Sequence, residues 1–193
     1  MTKALVLFAH PVPESFSASL HRKVLETLTN RDWQVDNCDL YAEGFNPVLT
    51  TDERRGYHDT VTNCAPVQSY VDRLRAANAL ILVFPVWNYG YPAILKGFFD
   101  RVFLPGVSFE LQNGGVQPAL QNIRKLAAVT TYGGTRLRSF LAGDPPRKIV
   151  TRAVAHVSRA SKTRYLAMYD MNNATQGRTT AFLTRVESEM ERF

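Results

Sequence analysis

The chain has 193 residues, a formal net charge of +6, and a composition that is 45% hydrophobic and 21% charged. This balance is typical of a packed globular protein and excludes a chain that is mostly disordered. The length fits one domain of ordinary size, so we expect residues 1–193 to form a single domain. No apolar run approaches the roughly 20 residues that cross a bilayer, so we expect no membrane insertion.

The cysteine, histidine and basic residues indicate the cellular compartment and the ligands that we expect the protein to lack. Cys38 and Cys64 are too few for a disulfide framework and fit the reducing cytoplasm, where we expect the protein to reside. The four histidines have no i,i+4 pairing and no companion cysteines, so we expect no metal site. The basic residues form no long block and no stripe interleaved with aromatics, so we expect no nucleic-acid binding.

Short apolar runs alternate with segments of helical periodicity along the chain. Fully apolar runs predict strands at 4–9 and 79–84, and partial alternation predicts a strand at 33–40; further strands are predicted at 125–132 and 164–169. The periodic segments predict helices at 18–30, 66–77, 92–103, 147–159 and 177–193. Two long connections remain: 41–64, which is predicted to be partly helical or functional, and 104–123. Five alternations predict an α/β fold, a three-layer sandwich around a parallel sheet.

Three loops follow predicted strands at one edge of this sheet: 9–17, 85–91 and 131–136. Right-handed crossovers place the carboxyl ends of parallel strands at the same edge, where open α/β sheets bind their ligands. None of the loops carries the G-x-G-x-x-G or G-x-x-x-x-G-K-[ST] phosphate-binding motif. The sequence therefore disfavours a Rossmann dehydrogenase and a P-loop nucleotidase.

The first loop, 9–17, opens a predicted helix and carries His10, Ser15 and Ser17. Free backbone N–H groups and hydroxyls at a helix N-terminus bind phosphate without a glycine-rich turn, and His10 can add a donor or a positive charge. Simple helix capping by one of the serines is an equally good interpretation of the loop alone. A phosphate site also requires Glu14 to face water, because its carboxylate would repel an anion.

The other two loops carry aromatic side chains and glycines. Trp87, Tyr89 and Tyr91 suit the stacking or enclosure of a flat heteroaromatic ring, and a buried aromatic cluster is the alternative. The adjacent glycines of 131–136 let backbone N–H groups approach a ligand closely, and Arg136 can pair with an anion of a second substrate. Together the three loops predict an anion-binding end and a planar aromatic end, which is the polarity of flavin mononucleotide (FMN).

Several longer motifs lie in and beside these loops. They are Ala9-His10-Pro11, Ser15-Phe16-Ser17, Phe45-Asn46-Pro47, Phe84-Pro85, P-A-I-L-K-G-F-F-D-R-V-F at 92–103, Pro105-Gly106-Val107-Ser108-Phe109 and Thr130-Thr131-Tyr132-Gly133-Gly134. With these motifs the sequence resembles the flavodoxin-like NAD(P)H:quinone oxidoreductases over about residues 4–170, and the stretch at 92–103 is the most specific of them.

The resemblance implies a flavodoxin-like fold with five parallel strands in the order 2-1-3-4-5. It implies a tightly bound FMN or FAD, NAD(P)H as co-substrate, a quinone or similar acceptor, and a homodimer with the flavin near the interface. We therefore expect a two-electron, ping-pong reductase in which a hydride passes from NAD(P)H through flavin N5 to the acceptor.

The family's flavin-binding positions fall on all three loops of this sequence. The phosphate loop corresponds to His10, Ser15, Phe16 and Ser17, the ring-flanking loop to Pro85, Val86, Trp87, Asn88 and Tyr89, and the segment at the polar edge of the ring to Thr131, Tyr132, Gly133 and Gly134. Tyr132 and Tyr89 are the candidate catalytic proton donors.

The sequence also departs from the family. Asn88 stands where a second aromatic residue is common, and the Tyr and His that assist hydride transfer in animal members have no clear counterparts after Gly134. The C-terminal extension of those members is missing here, which favours FMN over FAD. Two alternative functions remain: a regulatory subunit, like relatives that control a potassium efflux system, and a one-electron flavodoxin-type carrier. The carrier is disfavoured because flavodoxins are usually acidic, whereas this sequence has a pI of about 9.5.

Overall fold

The centre of the protein, as a computed structural model describes it for residues 1–112 and 114–193, is a parallel sheet of five strands. The strands of the chain are β1 (Lys3–Phe8), β2 (Gln34–Asp39), β3 (Ala79–Val86), β4 (Phe109–Gln112), β5 (Gly115–Pro118), β6 (Lys125–Tyr132) and β7 (Lys162–Met168). The central sheet has the order β2-β1-β3-β6-β7, while β4 and β5 form a separate antiparallel hairpin. Counted within the sheet alone, this is the order 2-1-3-4-5, so the predicted flavodoxin-like fold is confirmed.

The strand β3 lies in the middle of the sheet and is buried along its whole length. Its uninterrupted apolar sequence fits this place, because helices cover both faces of the sheet. The strand continues two residues beyond its predicted end, since its last two residues stay in register with Thr131 and Tyr132 of β6. The loop predicted at 85–91 therefore begins at Trp87.

Helices form the two outer layers. They are α1 (Phe16–Thr29), α2 (Thr51–Arg55), α3 (Gln68–Ala76), α4 (Ala93–Val102), α5 (Arg136–Leu141), α6 (Pro145–Lys148), α7 (Ala155–Ser158) and α8 (Gln176–Glu191). One apolar core packs α1 and α8 against one face of the sheet, and a second core packs α3, α4 and the 145–158 segment against the other. This is the three-layer arrangement that the alternating pattern predicts.

Some sequence predictions differ from the structure in this outer layer. The helix predicted at 147–159 begins at Pro145, and a π-helical segment (Ile149–Val154) joins α6 to α7. The helix α5 was not predicted: Leu137, Phe140 and Leu141 have helical spacing, but the helix is only six residues long. The connection at 41–64 contains the short helix α2, and the connection at 104–123 contains the β4–β5 hairpin.

The long connection before β3 packs against α4 at Gly97. A Cβ built on Gly97 would lie 2.3 Å from the carbonyl oxygen of Pro47, so only glycine permits this close approach. One turn further along α4, the buried guanidinium of Arg101 donates to Oε1 of Glu53 at 2.5 Å. These contacts fix α4, whose first residue follows closely after the loop that leaves β3.

In the described part of the chain, no helix is both long and apolar enough to cross a membrane. The two cysteines, Cys38 and Cys64, are buried and free.

Candidate functional site

A crevice at the carboxyl edge of the sheet brings together the three loops that the sequence singled out. Its first part is a cavity of about 290 Å³ between the loops that follow β1, β3 and β6. The residues that line it are His10, Ser15, Phe16, Ser17, Pro85, Val86, Trp87, Thr131, Gly133, Met171 and Asn172. The structure thus gathers nine predicted flavin-binding residues around one opening.

A second cavity, of about 280 Å³, adjoins the first and shares Val86, Gly133 and Asn172 with it. Its other lining residues are Asn88, Tyr89, Tyr132, Gly134, Arg138 and Ser139. All thirteen predicted flavin-binding residues line one or the other of these cavities. Their role in binding a flavin is not tested by this geometry and stays a prediction.

Ser15 caps the helix α1, and this cap leaves further donors facing the first cavity. Its hydroxyl oxygen accepts the N–H of Ala18 at 3.1 Å, which shows the capping that the sequence allowed. Among the residues that the structure describes, the backbone N–H groups of Phe16 and Ser17 have no acceptor. The Ser17 hydroxyl, 5% exposed as a residue, likewise has no partner within the described chain. A cap and an anion site are therefore compatible in this loop.

The electrostatics of this end suit an anion. No carboxylate lines the first cavity, and Glu14 is exposed, as a phosphate site requires. The positive end of the α1 dipole points to the same place. Burial lowers the pKa of His10, and the N–H of Val12 donates to its Nδ1 at 3.0 Å. The neutral ring with its proton on Nε2 is then a donor and not a positive charge.

A tight turn shapes the aromatic wall of the crevice. Trp87 and Gly90 exchange two backbone hydrogen bonds, of 3.1 and 2.8 Å, across Asn88 and Tyr89. These two residues have φ of 48° and 59°, which is left-handed backbone that non-glycine residues adopt at a cost of about 1 kcal/mol each. The turn leaves the rings of Trp87 and Tyr89 exposed, by 41% and 43%.

Tyr91, the third aromatic residue of this loop, belongs to the protein core. Its hydroxyl donates to the carbonyl oxygen of Pro146 at 2.8 Å, and its ring lies 4.9 Å from that of Phe84. The two interpretations of the loop therefore apply to different residues, with Tyr91 in a buried cluster while Trp87 and Tyr89 line the crevice.

Tyr132 has a buried side chain beneath the crevice. Its hydroxyl donates to Oδ1 of Asp144 at 2.6 Å and lies 2.6 Å from the hydroxyl of Tyr165, which is then the donor in that pair. Burial, together with Tyr165 and Asp144, raises the pKa of Tyr132 far above its ordinary value. Of the two candidate proton donors, Tyr89 is thus the exposed one and Tyr132 the one already engaged. A catalytic role for either remains a prediction.

Sequence reasoning missed residues on two elements of the site. Met171 and Asn172 follow β7, and the N–H of Asp170 donates to the carbonyl oxygen of Gly134 at 2.8 Å, which ties this loop to the glycines. The same edge-of-sheet rule applied to the fifth strand would have found them. Arg138 and Ser139 lie on α5, whose signals are the N-cap Thr135 and the helical spacing of the apolar residues that follow it.

Arg136, the predicted partner for an anion of a second substrate, does not line either part of the crevice. It lines a third cavity beside α5. Within the described ranges, no group of three or more His, Cys, Asp or Glu side chains is arranged to hold a metal ion.

The strand order and the crevice at the carboxyl edge define a flavodoxin-like protein. The chain belongs to a protein family that is described as having a flavodoxin-like fold. The sequence model of this family matches residues 2–189 of the chain.

The chain is also similar to individual curated proteins and solved structures. NAD(P)H dehydrogenase [quinone] 1 of Rattus norvegicus is 30% identical over 154 residues, which cover 72% of this chain and 56% of that protein. The matched regions span between 54% and 58% of the lengths of this and two further curated relatives. The crystal structure of Smu.1420 from Streptococcus mutans UA159 is 27% identical with a TM-score of 0.87, covering 100% of both chains.

One structure with a bound cofactor is also similar in fold. An FMN-dependent NADH-azoreductase from Bacillus anthracis str. Ames Ancestor, solved in complex with FMN, is 16% identical with a TM-score of 0.81. The similarity covers 100% of this chain and 99% of that one. At this identity the likeness shows a shared fold, and function has to come from the site.

Proposed function

We propose that this protein is a flavin-dependent oxidoreductase that uses NAD(P)H to reduce a quinone or a similar acceptor. One observation carries the proposal: a single crevice combines unpaired donors at the N-terminus of α1 with an exposed aromatic wall and a pair of glycines. The names of the rat relative and of the FMN-bound azoreductase support the same reaction class.

The residues of the crevice fit a flavin with its phosphate at α1. The N–H groups of Phe16 and Ser17, the hydroxyl of Ser17 and Nε2 of His10 would donate to the phosphate. The hydroxyl proton of Ser15 is also free to donate, because that oxygen serves the cap only as an acceptor. FMN is the proposed form, with FAD as the alternative, and the FMN complex of the similar fold supports this choice.

The other end of the crevice fits the ring. Trp87 and Tyr89 would wall in a planar heteroaromatic group and exclude water from its face. The backbone N–H groups of Gly133 and Gly134 have no acceptor among the described residues, and they would donate to the N1/O2 edge, where negative charge grows on reduction. Asn172 adds a side-chain amide beside Gly133, where a Cβ would lie 3.5 Å from its Oδ1.

A bound flavin supplies the redox chemistry itself, since its N5 can accept a hydride from a nicotinamide and its reduced form can pass two electrons to a quinone. The protein holds donor and acceptor against the same open face. Because one crevice serves both, NAD(P)H leaves before the acceptor binds, which is a ping-pong mechanism. Tyr89, whose ring is exposed in the crevice, would donate a proton to the acceptor.

We propose further that the protein forms a homodimer and is located in the cytoplasm. The helix α5, beside the crevice, exposes Leu137 and Leu141 by 66% and 74%. Adjacent exposed apolar side chains of this size favour burial by a second copy of the chain. Light scattering coupled to size-exclusion chromatography tests this: a mass of one chain would contradict the dimer.

The experiment that tests the function begins with the purified protein. Its visible spectrum and the chromatographic identity of the released cofactor should show FMN, and steady-state kinetics with NAD(P)H and a soluble quinone should give parallel double-reciprocal lines. A colourless protein that FMN and FAD cannot reconstitute would contradict the flavin site. A full flavin content with negligible turnover would favour the regulatory-subunit alternative, and efficient single-electron exchange without quinone turnover would favour the carrier.

A further inference from the structure

A third cavity, of about 300 Å³, lies on the side of α5 away from the crevice. Its lining is strongly basic, with one carboxylate. The lining residues are Arg136, Phe140, Gly143, Asp144, Arg147, Lys148, Thr151, Arg152 and Tyr169. The flavin site proposed above makes no use of this cavity.

Four cationic side chains line the cavity, and among the described residues only Arg147 has a hydrogen-bond or ion-pair partner. Arg147 donates to Oδ2 of Asp144 at 2.9 Å and to the hydroxyl of Tyr169 at 2.7 Å. Arg136, Lys148 and Arg152 form no side-chain hydrogen bond or ion pair with any residue that the structure describes. Three uncompensated positive charges therefore face a cavity whose single acid is already neutralised.

The backbone around the cavity has two unusual features, a turn with positive φ and a π-helical segment. Gly143 and Asp144 both have positive φ, of 88° and 44°, and the π-helical segment Ile149–Val154 follows shortly after. Strained turns and π-helical segments of this kind are frequent at functional sites. The Asp144 carboxylate, held by Tyr132 and Arg147, fixes the turn. The Nζ atom of Lys148 lies beside the same turn, 3.8 Å from the position of a Cβ on Gly143.

The cavity and the crevice are separated by a single helix. Arg138 and Ser139 of α5 line the crevice, while Arg136 and Phe140 line the basic cavity. Both openings therefore border the same short helix, and a dinucleotide with its nicotinamide in the crevice would pass α5 to reach the basic cavity.

We propose that the basic cavity binds the 2′-phosphate of NADPH and makes NADPH the preferred reductant. This inference rests on the proposed function and names the substrate class for the same site. A phosphate monoester carries close to two negative charges at neutral pH and has several acceptor oxygens. Arginine and lysine in the same cavity meet both properties, and NADH has nothing to place there.

The test compares kcat/KM for NADPH and for NADH with one quinone in wild type and in Lys148→Ala, Arg152→Ala and the double variant. We expect wild type to favour NADPH about tenfold or more. Each single substitution should lower kcat/KM for NADPH roughly three- to tenfold and leave the value for NADH within twofold. Arg124→Ala is the matched control, because Arg124 is exposed and precedes β6 at the opposite edge of the sheet.

Several results would overturn the inference. An equal loss with both nucleotides would assign the cavity to the pyrophosphate that they share, and a loss of flavin content would assign it to the cofactor. An unchanged NADPH preference in the double variant would show that the cations do not contact the nucleotide. Calorimetry with 2′-AMP and 5′-AMP tests the cavity without turnover: wild type should bind 2′-AMP more tightly, and the double variant should not discriminate. This readout separates failure of the inference from failure of the proposed function.

Discussion

Replacing Ser15 by aspartate tests whether the N-terminus of α1 holds the flavin phosphate. Aspartate caps helices as well as serine does, so Ser15→Asp should fold with unchanged stability. It also places a carboxylate where the phosphate would lie. Two unit charges 4 Å apart repel by about 4 kcal/mol at an effective dielectric constant of 20. Ser15 is half-buried, so we halve this to about 2 kcal/mol, which corresponds to roughly a 30-fold weaker affinity for FMN.

The matched control is Ser15→Asn, which keeps a neutral capping side chain of almost the same shape. FMN dissociation constants come from fluorescence titration of the apoprotein, and thermal unfolding confirms that both variants are folded. The asparagine variant should stay within a few-fold of wild type. Equal FMN affinities of the aspartate and asparagine variants would refute the phosphate assignment and leave Ser15 as a helix cap alone.

Three further predictions concern packing, the aromatic turn and pH. Gly97→Ala should lower the free energy of unfolding by about 3 kcal/mol, because the added Cβ meets backbone at 2.3 Å; thermal or urea unfolding measures this. Tyr89→Gly should leave stability within about 1 kcal/mol, since relief of the left-handed backbone offsets the greater freedom of glycine, yet lower FMN affinity and turnover about tenfold through loss of the ring. Burial raises the pKa of Glu53, but hydrogen bonds from the backbone N–H of Thr50 and from Arg101 outweigh it and hold the pKa below its ordinary value. The Glu53 carboxylate therefore stabilises the fold above the unfolded-state pKa of about 4.3, and this stabilisation is lost as the pH falls through the lower folded-state pKa. The stability gap between wild type and Glu53→Gln should accordingly be largest near pH 7 and shrink at acidic pH.

Each of these predictions can fail in a defined way. Gly177→Ala is the packing control, because a Cβ there meets nothing within 4 Å, and it should not lower stability; equal behaviour of the two alanine variants would contradict the close approach. Full FMN affinity in Tyr89→Gly would remove Tyr89 from the ring site. A stability gap for Glu53→Gln that does not change with pH would show that its charge is not what stabilises the connection.

Much of the architecture follows from the sequence because parallel strands covered on both faces are uniformly apolar. β3 is buried along its whole length and is an unbroken apolar run, whereas β6, which is also almost wholly buried, is apolar at 126–129 and continues with Thr130 and Thr131. The predicted end of β3 was two residues early, because Pro85 usually ends a strand, whereas here register with β6 carries the strand on.

The site was less predictable where side-chain direction decides the role. Tyr132 lies in a loop motif by sequence, yet its hydroxyl is turned into the core by Asp144, a residue twelve positions away that no local pattern connects to it. Tyr91 and Tyr89 are two residues apart in one loop, and only the turn geometry separates a core residue from an exposed one. Asn172 lies in the crevice because β7, which precedes it, pairs with β6, and this pairing is a tertiary contact.

The turn at Asn88 and Tyr89 also bears on how the crevice meets its ligands. Two main-chain hydrogen bonds and two left-handed residues determine its course, so the indole and phenol rings are already displayed before any planar molecule arrives. Ordering of this segment is complete when the chain folds, so a planar ligand that binds there would lose correspondingly less affinity to conformational entropy. Because this rim presents two partly exposed aromatic rings, flatness is the property that it would require of a ligand.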